Sequence, residues 1–140
     1  MPSAAVDHPE TFILMAMIRM ALADHDLGAD EVAEIRRVYR SVTGRDIAAS
    51  TIGEIARAVE DDSDHPLDWL KKVRGQLGNE TRELIITAVY RVLIADDRIA
   101  GEELKRLTET ADALGMSEIH YKTVLETLEE ETSTGHQRRR

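Results

Sequence analysis

The sequence predicts an all-α domain of about seven helices packed as a compact bundle. Three observations predict it. Ala, Leu, Ile and Val are plentiful while aromatics are few (one Trp, one Phe, three Tyr), a composition that favours helices over aromatic-rich alternating strands. Apolar residues recur at 3-4-3 spacing, which lines one face of a helix. Much of this spacing recurs when the sequence is slid against itself by 72 residues.

In that register Ile13, Ala16, Met17, Met20, Ala21 and Asp24 fall on Ile85, Ala88, Val89, Val92, Leu93 and Asp96. Arg19 falls on Arg91, and Val32, Ile35, Tyr39 and Val42 fall on Leu104, Leu107, Ala111 and Leu114. The joining segments, 23–31 and 95–103, correspond as well: each is acidic, with one aliphatic residue (Leu27 or Ile99). Two pseudo-symmetric helix–acidic turn–helix units are predicted. A solenoid needs at least three units, so the pattern reads as a duplicated domain.

The first helix is predicted from about Pro9 to Asp24, apolar on nearly every side and therefore central. The second starts near Ala29 and stops at Gly44, a glycine suited to the left-handed end of a helix. A third covers Ala49 to Glu60 with Ile52, Ile55, Ala56 and Val59 inward. Asp64 is read as the N-cap of a fourth, with Pro66 in its first turn and Leu67, Leu70, Val73 and Leu77 on its apolar face. Asn79 caps a fifth, again central, that ends at Ala95. The sixth spans Gly101 to Leu114 and is closed by Gly115. Ser117 caps the seventh, whose stripe is Tyr121, Val124, Leu125 and Leu128. Periodicity ceases at Thr132, so residues 1–9 and 132–140 are predicted to be flexible around a domain at 10–131.

The chain is long enough for one domain with a real core. Its net charge of −9 opposes general nucleic-acid binding, which needs a basic surface to neutralise phosphates. It suits cations or a basic protein partner, although solubility alone would also account for it. There are no cysteines, which removes disulfides, thiolate zinc sites and cysteine nucleophiles. Residues 1–10 lack the basic start of a secretory signal. The apolar run from Phe12 to Ala23 is broken by Arg19 and falls short of the roughly 20 residues that span a bilayer. A soluble cytoplasmic protein is predicted.

The acidic turns are the constellation that repeats. Asp24, Asp26, Asp30 and Glu31 cluster in the first, and Asp96, Asp97, Glu102 and Glu103 in the second. Carboxylates gathered in a turn suit hard cations such as calcium or magnesium, which prefer oxygen ligands. A structural reading stands beside that one. Asp30, Glu31, Glu102 and Glu103 open helices, where negative side chains offset the helix dipole. Asp24 and Asp96 lie at helix ends, where a carboxylate can accept from exposed amides. The EF-hand pattern fails in both turns. Counting from Asp24 puts Ile35, and counting from Asp96 puts Leu107, where a bidentate Glu belongs.

The segments Met17-Ile18-Arg19-Met20-Ala21-Leu22-Ala23-Asp24 and Val89-Tyr90-Arg91-Val92-Leu93-Ile94-Ala95-Asp96, each followed by an acidic pair, resemble the repeated core of the TerB-like (tellurite-resistance) family. The resemblance covers about Glu10 to Glu130. It implies a role in tellurite or stress resistance and divalent-cation binding at acidic surfaces. It also implies kinship with the amino-terminal module of a DnaJ-type co-chaperone. It carries function onto Asp24, Asp30 and Glu31, and onto Asp96, Glu102 and Glu103. Where the family shows Asp-Gly, this chain has Asp24-His25 and Asp96-Asp97. Arg98 makes the second turn the poorer cation site.

No enzyme is predicted. The histidines (His8, His25, His65, His120, His136) form no paired metal motif. No phosphate-binding glycine loop or Gly-x-Ser-x-Gly elbow occurs. Met15, Met17 and Met20 read as core packing. Arg36, Arg37, Arg40 and Arg45 form a basic strip. It is either a solvated face paired with nearby carboxylates or, as the alternative function, a ridge for nucleic acid or an acidic partner.

Overall fold

The computed structural model describes residues 9–24, 27–61, 65–93 and 101–138, with the backbone alone at 24, 93, 101–103 and 132–138. Its elements are α1 (Pro9–Asp24), α2 (Ala29–Thr43), α3 (Ala49–Glu60), α4 (Pro66–Val73), α5 (Asn79–Leu93), α6 (Gly101–Ala113) and α7 (Glu118–Arg138). A 3-10 turn, Arg74–Gln76, follows α4 directly. No strand occurs among the described residues, and the predicted all-α bundle is the fold observed.

Two helices carry the core. A helix that is apolar all round can only be stable when other elements cover every side. In α1 this applies to Phe12, Ile13, Leu14, Ala16, Met17 and Ile18, all of them buried. In α5 it applies to Ile85, Ile86, Ala88, Val89 and Tyr90. These two helices pack against each other more extensively than any other pair. Around them, α2, α3 and α4 contact α1, while α2, α6 and α7 contact α5. Among residues aligned by the 72-residue shift, Ile13 and Ile85, Ala16 and Ala88, Met17 and Val89, and Ile35 and Leu107 are all buried. Leu104, by contrast, is exposed where Val32 is partly buried, and Val42 is partly buried where Leu114 is fully so. Arg19 and Arg91 also differ, the first buried and the second partly exposed.

The outer helices are amphipathic and bury one stripe each. In α2 the stripe is Ile35, Val38 and Tyr39, and in α3 it is Ile52, Ala56 and Val59, with Ile55 only partly covered. Trp69 and Leu70 anchor α4, Leu107 and Ala111 anchor α6, and Tyr121 and Leu128 anchor α7. Among the described residues no helix is long and apolar enough to cross a membrane.

The helix ends follow local chemistry. Gly44 has φ 78° and donates its N–H to Arg40 O, closing α2 in a left-handed turn that glycine enters without a Cβ clash. Gly115, at φ 77°, closes α6 in a Schellman motif: Met116 N donates to Ala111 O, and Gly115 N donates to Asp112 O. Ser117 Oγ accepts from His120 N at 3.1 Å, the predicted N-cap of α7.

Two predicted caps are corrected. The N-cap of α4 is His65, whose Nδ1 accepts from Leu67 N at 3.1 Å, and Asp64 lies outside the described residues. Pro66 takes the first helical position, where its missing N–H costs nothing, so the cap falls on the residue just before it. Asn79 is the first residue of α5 rather than its cap, and the carbonyl of Gly78 accepts from Arg82 N. Separately, α7 runs through Arg138, past the loss of periodicity at Thr132, with the backbone alone described from 132 on. Once a helix is nucleated, each added residue contributes a backbone hydrogen bond, so loss of the apolar stripe need not end it.

A Gly44→Ala variant isolates the conformational demand at the α2 terminus, since nothing lies within 4 Å of the added methyl. It is expected to lose about 1–2 kcal/mol of stability. Chemical denaturation checks this, with a lower midpoint and an unchanged slope.

Candidate functional site

The first acidic turn lies between α1 and α2. Leu27 is partly buried against the core, which pins the turn to the bundle. Gly28 is the N-cap of α2, with extended backbone at φ −87° and ψ −179°. Having no side chain, it cannot cap the helix itself. Glu31 instead reaches back, and its Oε1 accepts from Gly28 N at 2.9 Å, forming the return half of a capping box. Asp30 is exposed in the same first turn, where the helix dipole favours negative charge.

The structure therefore brings Asp30 and Glu31 together at the α2 N-terminus and gives Glu31 a definite structural task. Asp24 is the last residue of α1, described by its backbone only. Glu102 and Glu103 fall in the first turn of α6, again as backbone. Asp26, Asp96 and Asp97 lie outside the described residues, as do His25 and Arg98. Among the described residues no three His, Asp or Glu side chains converge as a metal-holding group.

The basic strip is largely engaged within the chain. Arg36 Nε donates to Ile47 O at 2.7 Å, and its Nη2 lies 3.5 Å from Asp46 Oδ1. Arg37 pairs with Glu34, and this hydrogen bond holds the guanidinium above its usual pKa. Arg45 Nε lies 3.6 Å from Glu10 Oε2 at the start of α1. Thr43 Oγ1 donates to Tyr39 O and accepts from Arg45 N, completing the wiring of this loop. Arg40 is the exposed member for which no such role is seen. The strip mainly fastens the α2–α3 connection to its neighbours.

Three features escaped the sequence reading. The Arg19 guanidinium is buried at 5% exposure, 4.8 Å from the Trp69 ring centroid, in a cation–π arrangement. Trp69 also packs at 6.4 Å, tilted, on Phe12. His120 Nε2 lies 2.6 Å from Glu83 Oε2, and Arg91 Nη2 lies 3.7 Å from Glu131 Oε1, so two polar contacts tie α7 to α5. Arg74 and Arg82 converge at the α6–α7 turn. Only Arg19 carried a legible signal, as a charge in the middle of an otherwise apolar helix.

The fold defines a class: an all-helical bundle, here with Asp30 and Glu31 at the start of α2. Against known families, the one described as tellurite resistance protein TerB matches residues 10–125. The chain belongs to the TerB family. Comparisons with curated proteins and with solved structures returned no match.

Tyr39 supplies a pH test of the packing beside the basic strip. Burial, and then the negative charge of Glu10, raise its pKa above the usual 10.0. The folded state thus keeps this proton longer than the unfolded chain does. Its stability is intact below about pH 10 and falls as pH rises through the folded pKa. Tyr39→Phe has no proton to lose there. Its stability from pH 9 to 12, followed by denaturant titration, is expected to decline less steeply than that of the parent.

Proposed function

We propose that this chain is a non-enzymatic binding module, serving in tellurite or stress response, that uses its acidic inter-helix turns to bind divalent cations or a basic protein partner. The observation that carries the reading is the recurrence of acidic segments at 24–31 and 96–103 within a TerB-family domain. The exposed Asp30, beside Glu31 at the start of α2, supports it further. The proposed ligand set is Asp24, Asp26, Asp30 and Glu31 in the first turn and Asp96, Asp97, Glu102 and Glu103 in the second. Oxygen-only donors of this type select calcium or magnesium over softer ions. A net charge of −9 adds a long-range attraction for cationic ligands that salt would screen.

Glu31→Gln separates ligation from capping, because the amide oxygen still accepts from Gly28 N while the charge is lost. Titration with calcium and with magnesium, followed by backbone NMR, is expected to shift residues 24–31 saturably. Asp30→Asn with Glu31→Gln is expected to weaken that response about tenfold or more, as for loss of charged ligands. Absence of any shift at millimolar ion sinks the cation form of the reading. The basic-partner form then predicts salt-sensitive binding of a Lys/Arg-rich peptide to the same residues, and absence of that too ends the proposal.

A further inference from the structure

A second charged constellation lies away from the acidic turns, where the 3-10 turn and α5 meet the end of α6. A methyl group placed on Gly115 would stand 3.7 Å from Arg74 Nη1 and 3.7 Å from Arg82 Nη1. Two guanidinium groups therefore flank one point, and that point is open because residue 115 has no Cβ. Like charges brought this close repel unless something anionic lies between or beside them. Neither arginine makes an ion pair with a described carboxylate.

Their protein partners are weak for two cations. Arg82 Nη2 donates to Arg74 O at 2.8 Å, and Arg82 Nε is buried with no acceptor. Arg74 Nη1 reaches Ala113 O only at 3.4 Å. Capping of α6 accounts for Arg74 in part, through its contact with Ala113 O, but not for Arg82, whose Nη2 donates to Arg74 O. The other carbonyls at this end are taken by the chain itself: Leu114 N donates to Thr110 O, Gly115 N to Asp112 O and Met116 N to Ala111 O.

We infer that Arg74 and Arg82 form a binding site for a small phosphoryl-type dianion, one of whose oxygens enters the gap over Gly115. Two guanidinium charges match a dianion, and the guanidinium fork matches phosphate oxygens. The net charge of −9 repels an extended polyanion, so the ligand is a single small group and not a nucleic acid. Gly115, required at φ 77° to end α6, also keeps the gap unfilled.

The test is an NMR titration of the full chain with inorganic phosphate at constant ionic strength, with acetate and chloride as parallel arms. Saturable shifts at Arg74, Arg82 and Gly115 are expected with phosphate and not with chloride. Binding is expected to weaken about tenfold in Arg82→Lys, which keeps the charge and loses the fork, and at least as much in Arg74→Gln. Arg74→Gln sacrifices only the 3.4 Å contact, so it keeps the test informative if Arg82 variants fold poorly. Equal response to chloride, no response to phosphate, or full binding by both variants overturns the site. Acetate binding as tight as phosphate overturns the phosphoryl assignment.

Discussion

The packing of α1 on α5 is the constraint from which the remaining structure follows. Each helix presents apolar side chains on several faces, and each fully buried Ile or Leu contributes about 1.5–3 kcal/mol relative to exposure. Neither helix can be satisfied by the other alone, so α2, α3, α4, α6 and α7 are recruited as amphipathic covers. The acidic segment 24–31 joins a central helix to a cover helix, and the same holds for 96–103 in sequence. Asp30 is exposed where the first of these segments hands over to a half-exposed helix.

The charged groups show how an acidic chain manages its cations. Arg36, Arg37 and Arg45 are engaged by carboxylates or carbonyls close by. Arg19 is held inside the bundle against the Trp69 ring, so its charge is masked from solvent. Arg91 contacts Ser41 on α2 and Glu131 on α7, and thus links three helices. Against this background the under-partnered Arg74 and Arg82 stand apart. Glu31 shows the complementary case, a carboxylate with a structural role at the position where a ligand role is proposed.

Much of the fold was legible because it rests on periodicity and on glycine. Apolar helical periodicity with cap residues located the described helices, and Gly44 and Gly115 marked two ends whose positive φ excludes most other residues. Ser117 was legible as a cap because its hydroxyl needs only the amide three residues on. The fourth helix was misjudged by one residue, since Asp64 is the better capping type while Pro66 dictates the position. Of the acidic site, the half capping box was foreshadowed by Glu31 in a first turn. What remained hidden depends on contacts between residues distant in sequence: Arg19 with Trp69, His120 with Glu83, and Arg74 with Arg82. Single residues of these types carry no local period, so only tertiary packing reveals their partners.

Native-state hydrogen exchange tests the central claim most directly, because it ranks elements by the free energy needed to open them. If the α1–α5 pair underlies the fold, amides within 13–18 and 85–90 should exchange slowest, and only through global unfolding. The cover helices, α7 foremost, should open at lower cost. Slowest exchange in α7 or α3, with α1 or α5 opening earlier, would contradict the account.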